Sequence, residues 1–252
     1  MRFDSRQVLV SCEHAGNLLP DGMEASPELL ALHIAWDPGA LRIAECLAEM
    51  FGAPLHAGKY SRLVVDLNRT VGNSVLVRRR SDGHRIPFNR DITEAEVQRR
   101  IERYYRPYRD AVSGGVARII ERHGRCVHLC IHTYTPALAG RMRGNDIGLL
   151  YDPHRDPEAP LVRELRHALA ERTGLVVWLN RPYSGTADGI LPRIREVHDA
   201  GAYVAIELEV NQKFADRPGR LDAIAAAFGA CLRDLGGWEA ASRRREARRA
   251  QD

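Results

Sequence analysis

Histidines and carboxylates stand directly after two apolar runs of the chain. Glu13 and His14 follow the run of residues 8–12, and His132 ends the alternating run "CVHLCIH". The carboxyl ends of parallel strands meet at one edge of an open sheet, where the loops are free to carry function. A single histidine in such a place is usually a hydrogen-bonded structural residue, but two of them near carboxylates suit a catalytic metal with three protein ligands. These residues therefore predict a site for zinc or another divalent metal.

Asp37 and the segment "CVHLCIH" could each have either a structural or a metal-binding role. Asp37 lies just before a predicted helix, where its carboxylate either caps that helix or turns inward to a metal, and it shares a face with His33 if that segment is helical. The cysteines and histidines of "CVHLCIH" alternate onto one strand face. Same-face residues are about 6.6 Å apart, which is too far for four ligands of one zinc. We therefore expect only His132 at the site, and His128 and the cysteines in the core.

Carboxylates on a predicted buried strand are a second chemical signal. Glu207 and Glu209 stand two apart in "AYVAIELEV" and so point to the same side of the strand. Such carboxylates destabilise the fold unless they are solvated, paired or functional. Polar residues follow other predicted strands as well, namely Asn68, Arg69, Asn180 and Tyr183. We expect these side chains at one edge of the sheet.

The elements that position these residues alternate along the chain. Apolar runs predict buried strands at residues 7–12, 62–68, 126–132, 146–152, 174–180 and 202–210. Apolar residues at helical spacing predict helices within residues 37–52, 93–124, 156–174 and 219–237. The alternation predicts a three-layer α/β sandwich with a central, mainly parallel sheet. Residues 70–92 and 181–199 are expected to be long loops, which in a compact domain are usually functional or mobile.

Length, composition and charge restrict the class of protein. The 252 residues suffice for one α/β domain, which we place at residues 1–240, with a basic tail at 241–252. Five scattered cysteines without a CxxC pair indicate reduced thiols. The sequence shows no membrane-spanning run and no signal peptide, so a cytoplasmic protein is expected. The net charge of +4 comes without a nucleic-acid-binding motif, so neither nucleic acid nor membrane is an expected partner.

The order of the motifs resembles a known family. "SCEHAGNLLP", "YSRLVVDLNR", "IHTYTP", "RMRGNDIG", "NRPYSG" and "ELEVNQ" occur in the order seen in the N-formylglutamate amidohydrolase family, and the resemblance extends over residues 8–214. The fold of that family is similar to that of the zinc carboxypeptidases and aspartoacylases. The resemblance implies a zinc-exopeptidase-like mixed sheet and a hydrolase that acts on linear amide C–N bonds.

The resemblance also implies roles for residues around the metal. His14 and His132 match the metal-binding histidines, and Asp37 falls on an acidic position that would supply a third ligand. The chain departs from the family at Glu13, where members usually have proline. Glu13 would either bind the metal too or orient its neighbour, so the third ligand stays open between Asp37 and Glu13.

Other matches imply roles in catalysis and substrate binding. Glu209 matches the strand carboxylate that acts as general base, with Glu207 in a supporting role. Asn68 and Arg69 resemble an Asn-Arg pair that contacts the substrate, and Arg143 matches an arginine after the His-x-Tyr segment. Asn180 and Tyr183 are expected to bind substrate as well.

The implied reaction is the hydrolysis of an N-formyl or other N-acyl amino acid. In that reaction Glu209 takes a proton from water that zinc has made acidic, and the water oxygen attacks the amide carbonyl. Arginines hold carboxylates through two hydrogen bonds, so Arg69 and Arg143 would select an acidic amino acid. Two alternatives stay open. One is a non-catalytic ligand- or nucleic-acid-binding protein, and the other is a hydrolase of another amide such as a small peptide.

Overall fold

A central sheet with helices on both faces forms the protein, and the computed structural model describes residues 4–138 and 140–236 of it. The strands are β1 (Val8–Cys12), β2 (Leu55–Ala57), β3 (Arg80–Ser81), β4 (His84–Arg85), β5 (Cys126–Tyr134), β6 (Ala137–Leu138), β7 (Arg141–Met142), β8 (Ile147–Leu150), β9 (Val177–Leu179) and β10 (Tyr203–Asn211). The helices are α1 (Pro27–Ala31), α2 (Ala40–Phe51), α3 (Glu94–Arg100), α4 (Arg106–His123), α5 (Glu158–Thr173), α6 (Ile190–Val197) and α7 (Pro218–Asp234). A π-helical turn, Ile101–Tyr105, joins α3 to α4.

The central sheet has six strands in the order β2, β1, β5, β10, β8, β9. The first four run parallel, whereas β8 pairs antiparallel with β10, and β9 pairs parallel with β8. The predicted three-layer α/β sandwich with a mainly parallel, mixed sheet is therefore confirmed. It follows that β1, β5 and β10 end at one edge of the sheet, and that β8 and β9 run toward the other.

Successive side chains of a strand point to opposite faces of the sheet, and this determines the face on which the polar residues lie. Leu9 of β1 and Tyr203 and Ala205 of β10 lie in the buried cluster that α4 and α6 cover. Because strand side chains alternate, Glu207 and Glu209 continue this same face toward the carboxyl end of β10. The opposite face is covered by α2, α5 and α7 and is apolar. Polar side chains thus occupy the α4/α6 face, beyond the end of its apolar cluster.

The predicted strand at residues 62–68 is wrong. This segment forms turns, and the unpredicted strand β2 pairs with β1 at the edge of the sheet instead. Val64 and Leu67 are buried, but they pack against Ile101 and Tyr105 in a separate cluster. The apolar run therefore correctly indicated that residues 63–67 are buried. A buried segment need not pair as a strand. The other predicted strands overlap β1, β5, β8, β9 and β10, and α6 lies inside a stretch that was expected to be a loop.

The predicted basic tail at residues 241–252 lies outside the described residues, as does the predicted domain boundary at residue 240. Among the described helices, none combines the length and the apolar character that crossing a membrane requires.

Candidate active site

His14, Asp37 and His132 come together where β1 and β5 end. His14 follows β1, His132 lies near the end of β5, and the N–H of Asp37 donates to the carbonyl of His14 at 3.0 Å. The Nδ1 atoms of His132 and His14 lie 2.8 and 3.3 Å from Oδ2 of Asp37. All three side chains are buried, and their ligand atoms lie within 4.8 Å of one another. This is a donor set of the kind that holds a divalent metal with three protein ligands.

Carboxylates contact the second ring nitrogen of each histidine. His14 Nε2 lies 2.7 Å from Oδ1 of Asp66, and His132 Nε2 lies 3.1 Å from Oε2 of Glu13. A histidine that donates one ring N–H to a carboxylate keeps the other nitrogen available to a metal. The pairing therefore orients both Nδ1 atoms toward Asp37.

Arg62 connects the carboxylates on this side of the site. Its Nε and Nη2 donate to Oδ2 of Asp66 at 3.2 and 2.9 Å, and its Nη1 donates to Oδ1 of Asp37 at 3.4 Å. Burial opposes the charge of Asp66, but Arg62 and His14 hold the pKa of its carboxyl group well below the usual range. Burial likewise opposes the charge of Asp37, and the two histidines lower its pKa. Both groups are thus carboxylates at neutral pH.

Glu13 belongs to a second group that could hold a metal. Among the described residues, the two groups are His14–Asp37–His132 and Glu13–Cys130–His132. Tyr108 OH donates to Oε1 of Glu13 at 2.9 Å, and Cys130 Sγ donates to Oε2 at 3.0 Å. Glu13 and Cys130 do not line the cavity, so a metal held by them would have no access to a substrate. The geometry thus favours Asp37 as the third ligand and Glu13 as the partner that orients His132.

A cavity of about 300 Å³ lies over His14, Asp37 and His132. Predicted site residues that also line it are Asn68, Arg69, Tyr183, Glu207 and Glu209. Other lining residues include His33, Arg62, Arg78, Thr135 and Asp188. Titratable groups that converge on one cavity are typical of a site that binds and transforms a small molecule.

Glu209 and Glu207 reach the cavity from β10. Glu209 is paired in register with His132 of β5 and is 3% exposed. Burial raises the pKa of both carboxyl groups, and Glu207 and Asp37 raise that of Glu209 further. Oε2 of Glu209 is buried and has no hydrogen-bond partner among the described residues. This unpartnered oxygen, beside a His-Asp-His donor set, fits the divalent metal that the resemblance implies.

Asn68 and Arg69 follow the buried turns of residues 62–67. Asn68 Nδ2 lies 3.3 Å from His132 Nε2, and its Oδ1 accepts the N–H of Ile190 at 2.9 Å. Arg69 Nη1 donates to the carbonyls of Asn68 and Asp188 at 2.7 and 3.1 Å. Asn68 thus connects His132 to the start of α6, and Arg69 presents a charge to the cavity.

Two of the predicted substrate-binding residues do not line the cavity. Arg143 reaches it only through Tyr183, because its Nη1 and Nη2 donate to the Tyr183 hydroxyl at 3.2 and 3.3 Å. The Oδ1 of Asn180 accepts the backbone N–H groups of Tyr151 and Gly185. Since β9 runs antiparallel to β10, its carboxyl end is not at the edge that carries His132, unlike the expectation for this strand.

Sequence reasoning missed several residues of the site. Arg62, Arg78 and Asp188 line the cavity, and Asp66 contacts His14. Arg62 and Asp66 could have been found, because they stand four apart within one apolar run. His33 lines the cavity but shares no helix face with Asp37, because α1 ends at Ala31. Its Nε2 instead lies 2.8 Å from Oδ2 of Asp82.

Comparisons with known proteins identify a family and similar structures. The profile of the N-formylglutamate amidohydrolase family matches residues 6–215. The crystal structure of gene product Atu2144 from Agrobacterium tumefaciens is 32% identical, with a TM-score of 0.78 over 91% of each chain. The structure of N-formylglutamate amidohydrolase from Ralstonia eutropha JMP134 is 22% identical, with a TM-score of 0.70 over 91% of this chain and 92% of that one. The search among curated proteins gave no match.

Proposed function

The chain belongs to the N-formylglutamate amidohydrolase family, and from that premise we propose that it hydrolyses an N-formyl or other N-acyl amino acid at a divalent metal bound by His14, Asp37 and His132. Membership makes the protein a hydrolase of amide bonds. One observation carries the metal dependence: the Nδ1 atoms of two buried histidines lie 2.8 and 3.3 Å from one carboxylate oxygen, within a cavity.

The donor set favours zinc, which binds histidine nitrogen and carboxylate oxygen and keeps a position open in catalytic sites. The chemistry that such an ion supplies when bound is Lewis acidity, which polarises an amide carbonyl and makes water more acidic. The protein's own contribution is orientation. Asp66 and Glu13 hold the rings of His14 and His132 from behind, so neither ring needs to rearrange.

Glu209 is the proposed general base. Its buried carboxyl group faces the cavity with one oxygen unpartnered, so that oxygen is free to accept a proton from water. The water oxygen then adds to the amide carbon, the C–N bond breaks, and Glu209 returns the proton to the leaving nitrogen. The raised pKa of Glu209 suits the first transfer, because a weaker acid is a stronger base, and the protonated group can still give up its proton to the more basic leaving amine.

The substrate is held by polar groups that line the cavity around this centre. We assign Asn68, Arg69 and Tyr183 to substrate binding, because each lines the cavity. Arg143 would act through Tyr183, whose hydroxyl it contacts. A cavity of about 300 Å³ matches a small N-acyl amino acid and is at the lower end of small-molecule sites.

The test couples metal content to a hydrolysis screen. Purified protein, His14→Ala and His132→Ala are analysed for bound metal, and each is assayed with N-formyl and N-acetyl amino acids before and after chelation. We expect metal and activity in the wild type and the loss of both in the two variants. Hydrolysis that survives complete removal of the metal would contradict the metal-dependent reaction, and activity on small peptides alone would move the substrate to another class of amide.

A further inference from the structure

Arg78 brings a poorly compensated charge to the cavity. Its Nε donates to the carbonyl of Val75 at 3.4 Å, and its Nη2 lies 4.0 Å from Oδ2 of Asp66. That same Asp66 oxygen already accepts two hydrogen bonds from Arg62. The guanidinium of Arg78 is therefore held without a close carboxylate partner among the described residues, although 28% of its side chain is exposed.

Arg69 resembles Arg78 in this respect, and Arg62 does not. The Nη1 of Arg69 donates to two backbone carbonyls, which are neutral acceptors. Arg62, in contrast, contacts two carboxylates. Burial lowers the pKa of Arg78, and Arg62 and Arg69 lower it further, while Asp66 and Asp82 oppose this shift. Two guanidinium groups of the residue 69–78 segment thus face the cavity, and neither has a carboxylate oxygen within hydrogen-bond distance among the described residues, although Asp82 and Asp188 line the same cavity.

The backbone that carries Arg78 is fixed. The carbonyl of Arg78 accepts Nδ2 of Asn89 at 2.7 Å, and Asn89 is fully buried. Asp188 holds the start of the same segment, because its carboxylate accepts Oγ1 of Thr70 at 2.7 Å and Nδ2 of Asn73 at 2.6 Å. A charged side chain on a rigid backbone loses less entropy when it binds a ligand.

We propose that Arg78, together with Arg69, forms an anion subsite that binds a carboxylate of the substrate's amino-acid part. The inference rests on the proposed function for the identity of the substrate. It assigns acidic-substrate selection to a residue inside the cavity, whereas Arg143 contacts the cavity lining only through Tyr183. A guanidinium pairs with a carboxylate through two parallel hydrogen bonds, so the subsite prefers a planar carboxylate over an amide of the same shape.

The test compares Arg78→Gln and Arg78→Lys with a matched control, Arg80→Gln. Arg80 is exposed on β3 and does not line the cavity, so it controls for the loss of one positive charge in the same segment. The substrates are N-formyl-L-glutamate and its two monoamides, in which either the side-chain or the main-chain carboxylate is replaced. Binding of glutarate to the metal-loaded protein is measured by calorimetry, and thermal melts check that each variant folds.

Arg78→Gln should raise KM for N-formylglutamate about 10- to 100-fold, as expected for a lost charge-assisted hydrogen bond, with kcat within about twofold. This rise in KM should be absent for the monoamide that lacks the carboxylate bound by Arg78, and present for the other monoamide. Glutarate binding should weaken in Arg78→Gln, recover in part in Arg78→Lys and stay unchanged in Arg80→Gln.

Two results would overturn the subsite. One is an equal penalty for all three substrates, and the other is glutarate binding that is absent in the wild type or the same in every variant. If the wild type hydrolyses none of the N-acyl compounds, the proposed function fails, while the glutarate measurements still decide the role of Arg78.

Discussion

Two buried charged clusters contact β10, and they use their charges differently. The first, Glu158 with Arg195, has every carboxylate oxygen occupied. Arg195 Nε and Nη2 donate to Oε1 and Oε2 of Glu158 at 3.0 and 2.8 Å. The backbone N–H groups of Ala205 and Asp152 donate to the same two oxygens at 3.1 and 2.9 Å. The Glu158–Arg195 pair is thus satisfied without any ligand.

The second cluster surrounds the two site histidines and is incomplete. Oε2 of Glu209 has no partner among the described residues, and the Nδ1 atoms of His14 and His132 face a carboxylate across the base of a cavity. Burial of charge is unfavourable in both places, and pairing within the protein offsets it in the first. In the second, the proposed metal and its substrate would supply the missing partner. Burial of charged groups therefore identifies a functional site only when the protein leaves some of them unpaired.

The largest expected effect is that of Glu209→Gln. Loss of the general base should lower kcat about 10²- to 10⁴-fold with metal still bound. The melting temperature should stay the same or rise, because a neutral amide is less costly to bury than an unpartnered carboxylate. Steady-state kinetics and thermal melts measure both. Glu207→Gln is the matched control and should be milder; a larger effect of Glu207→Gln would require the two roles to be exchanged.

Arg195→Met tests the complete cluster. It removes the two closest charged donors of the buried Glu158 carboxylate and leaves Arg155 Nε, 3.6 Å from Oε1, as the remaining cation. We therefore expect a loss of about 3 kcal/mol in the free energy of unfolding, the lower end for a broken buried pair, measured with urea. The double variant Glu158→Met/Arg195→Met removes both charges and should lose less than Arg195→Met alone. Metal content per folded chain should be unchanged in both. A single variant as stable as the wild type would show that this pair is not the structural counterpart of the active-site cluster.

Part of the site and most of the central sheet could be predicted from the sequence. Strand-end positions identified His14 and His132, because the parallel strands β1 and β5 end side by side, and same-face spacing placed Glu207 and Glu209 together. Alternating strands and helices predicted the sandwich, since the inner strands β1, β5, β8 and β10 are buried on both faces almost throughout. These features depend on local pattern alone.

Other features depend on contacts that local pattern does not encode. Because β8 and β9 run opposite to β10, Asn180 does not lie at the edge that carries His132. An apolar run predicts a strand but not its direction. The run at residues 62–68 is as apolar as a strand, but it packs against the helical segment of residues 101–105. Arg62 and Arg78 lie in that turn-rich region, and their approach to the cavity follows from turns, not from periodicity.

His128 belongs to the complete kind of cluster, and its pH dependence tests that assignment. Its Nδ1 and Nε2 lie 2.7 and 2.8 Å from the hydroxyls of Tyr203 and Ser11, and burial lowers its pKa to about 4. The unfolded chain takes up this proton near pH 6.5. Between about pH 6.5 and 4 the unfolded state therefore binds more protons, and stability should fall by about 2 to 3 kcal/mol as the pH is lowered.

Urea unfolding of the wild type and His128→Asn across this range isolates the contribution. The difference in unfolding free energy between the wild type and His128→Asn should narrow as the pH falls, because asparagine at position 128 does not titrate. A difference independent of pH would mean that His128 takes up its proton equally in the folded and unfolded states, and that its cluster is less complete than its hydrogen bonds indicate.

The smallest effect expected separates carboxylates that act on the metal ligands from those that only lie nearby. Asp66→Asn keeps an oxygen for His14 Nε2 but removes the charge that favours its N–H, so metal affinity should fall about 10- to 100-fold. Asp188→Asn makes the same substitution in a lining residue that contacts Thr70 and Asn73 instead of a histidine, and its metal affinity should stay within about twofold of the wild type. Competition with a chelator measures both constants. Equal weakening in the two variants would show that total negative charge around the cavity, and not the pairing behind His14, holds the metal.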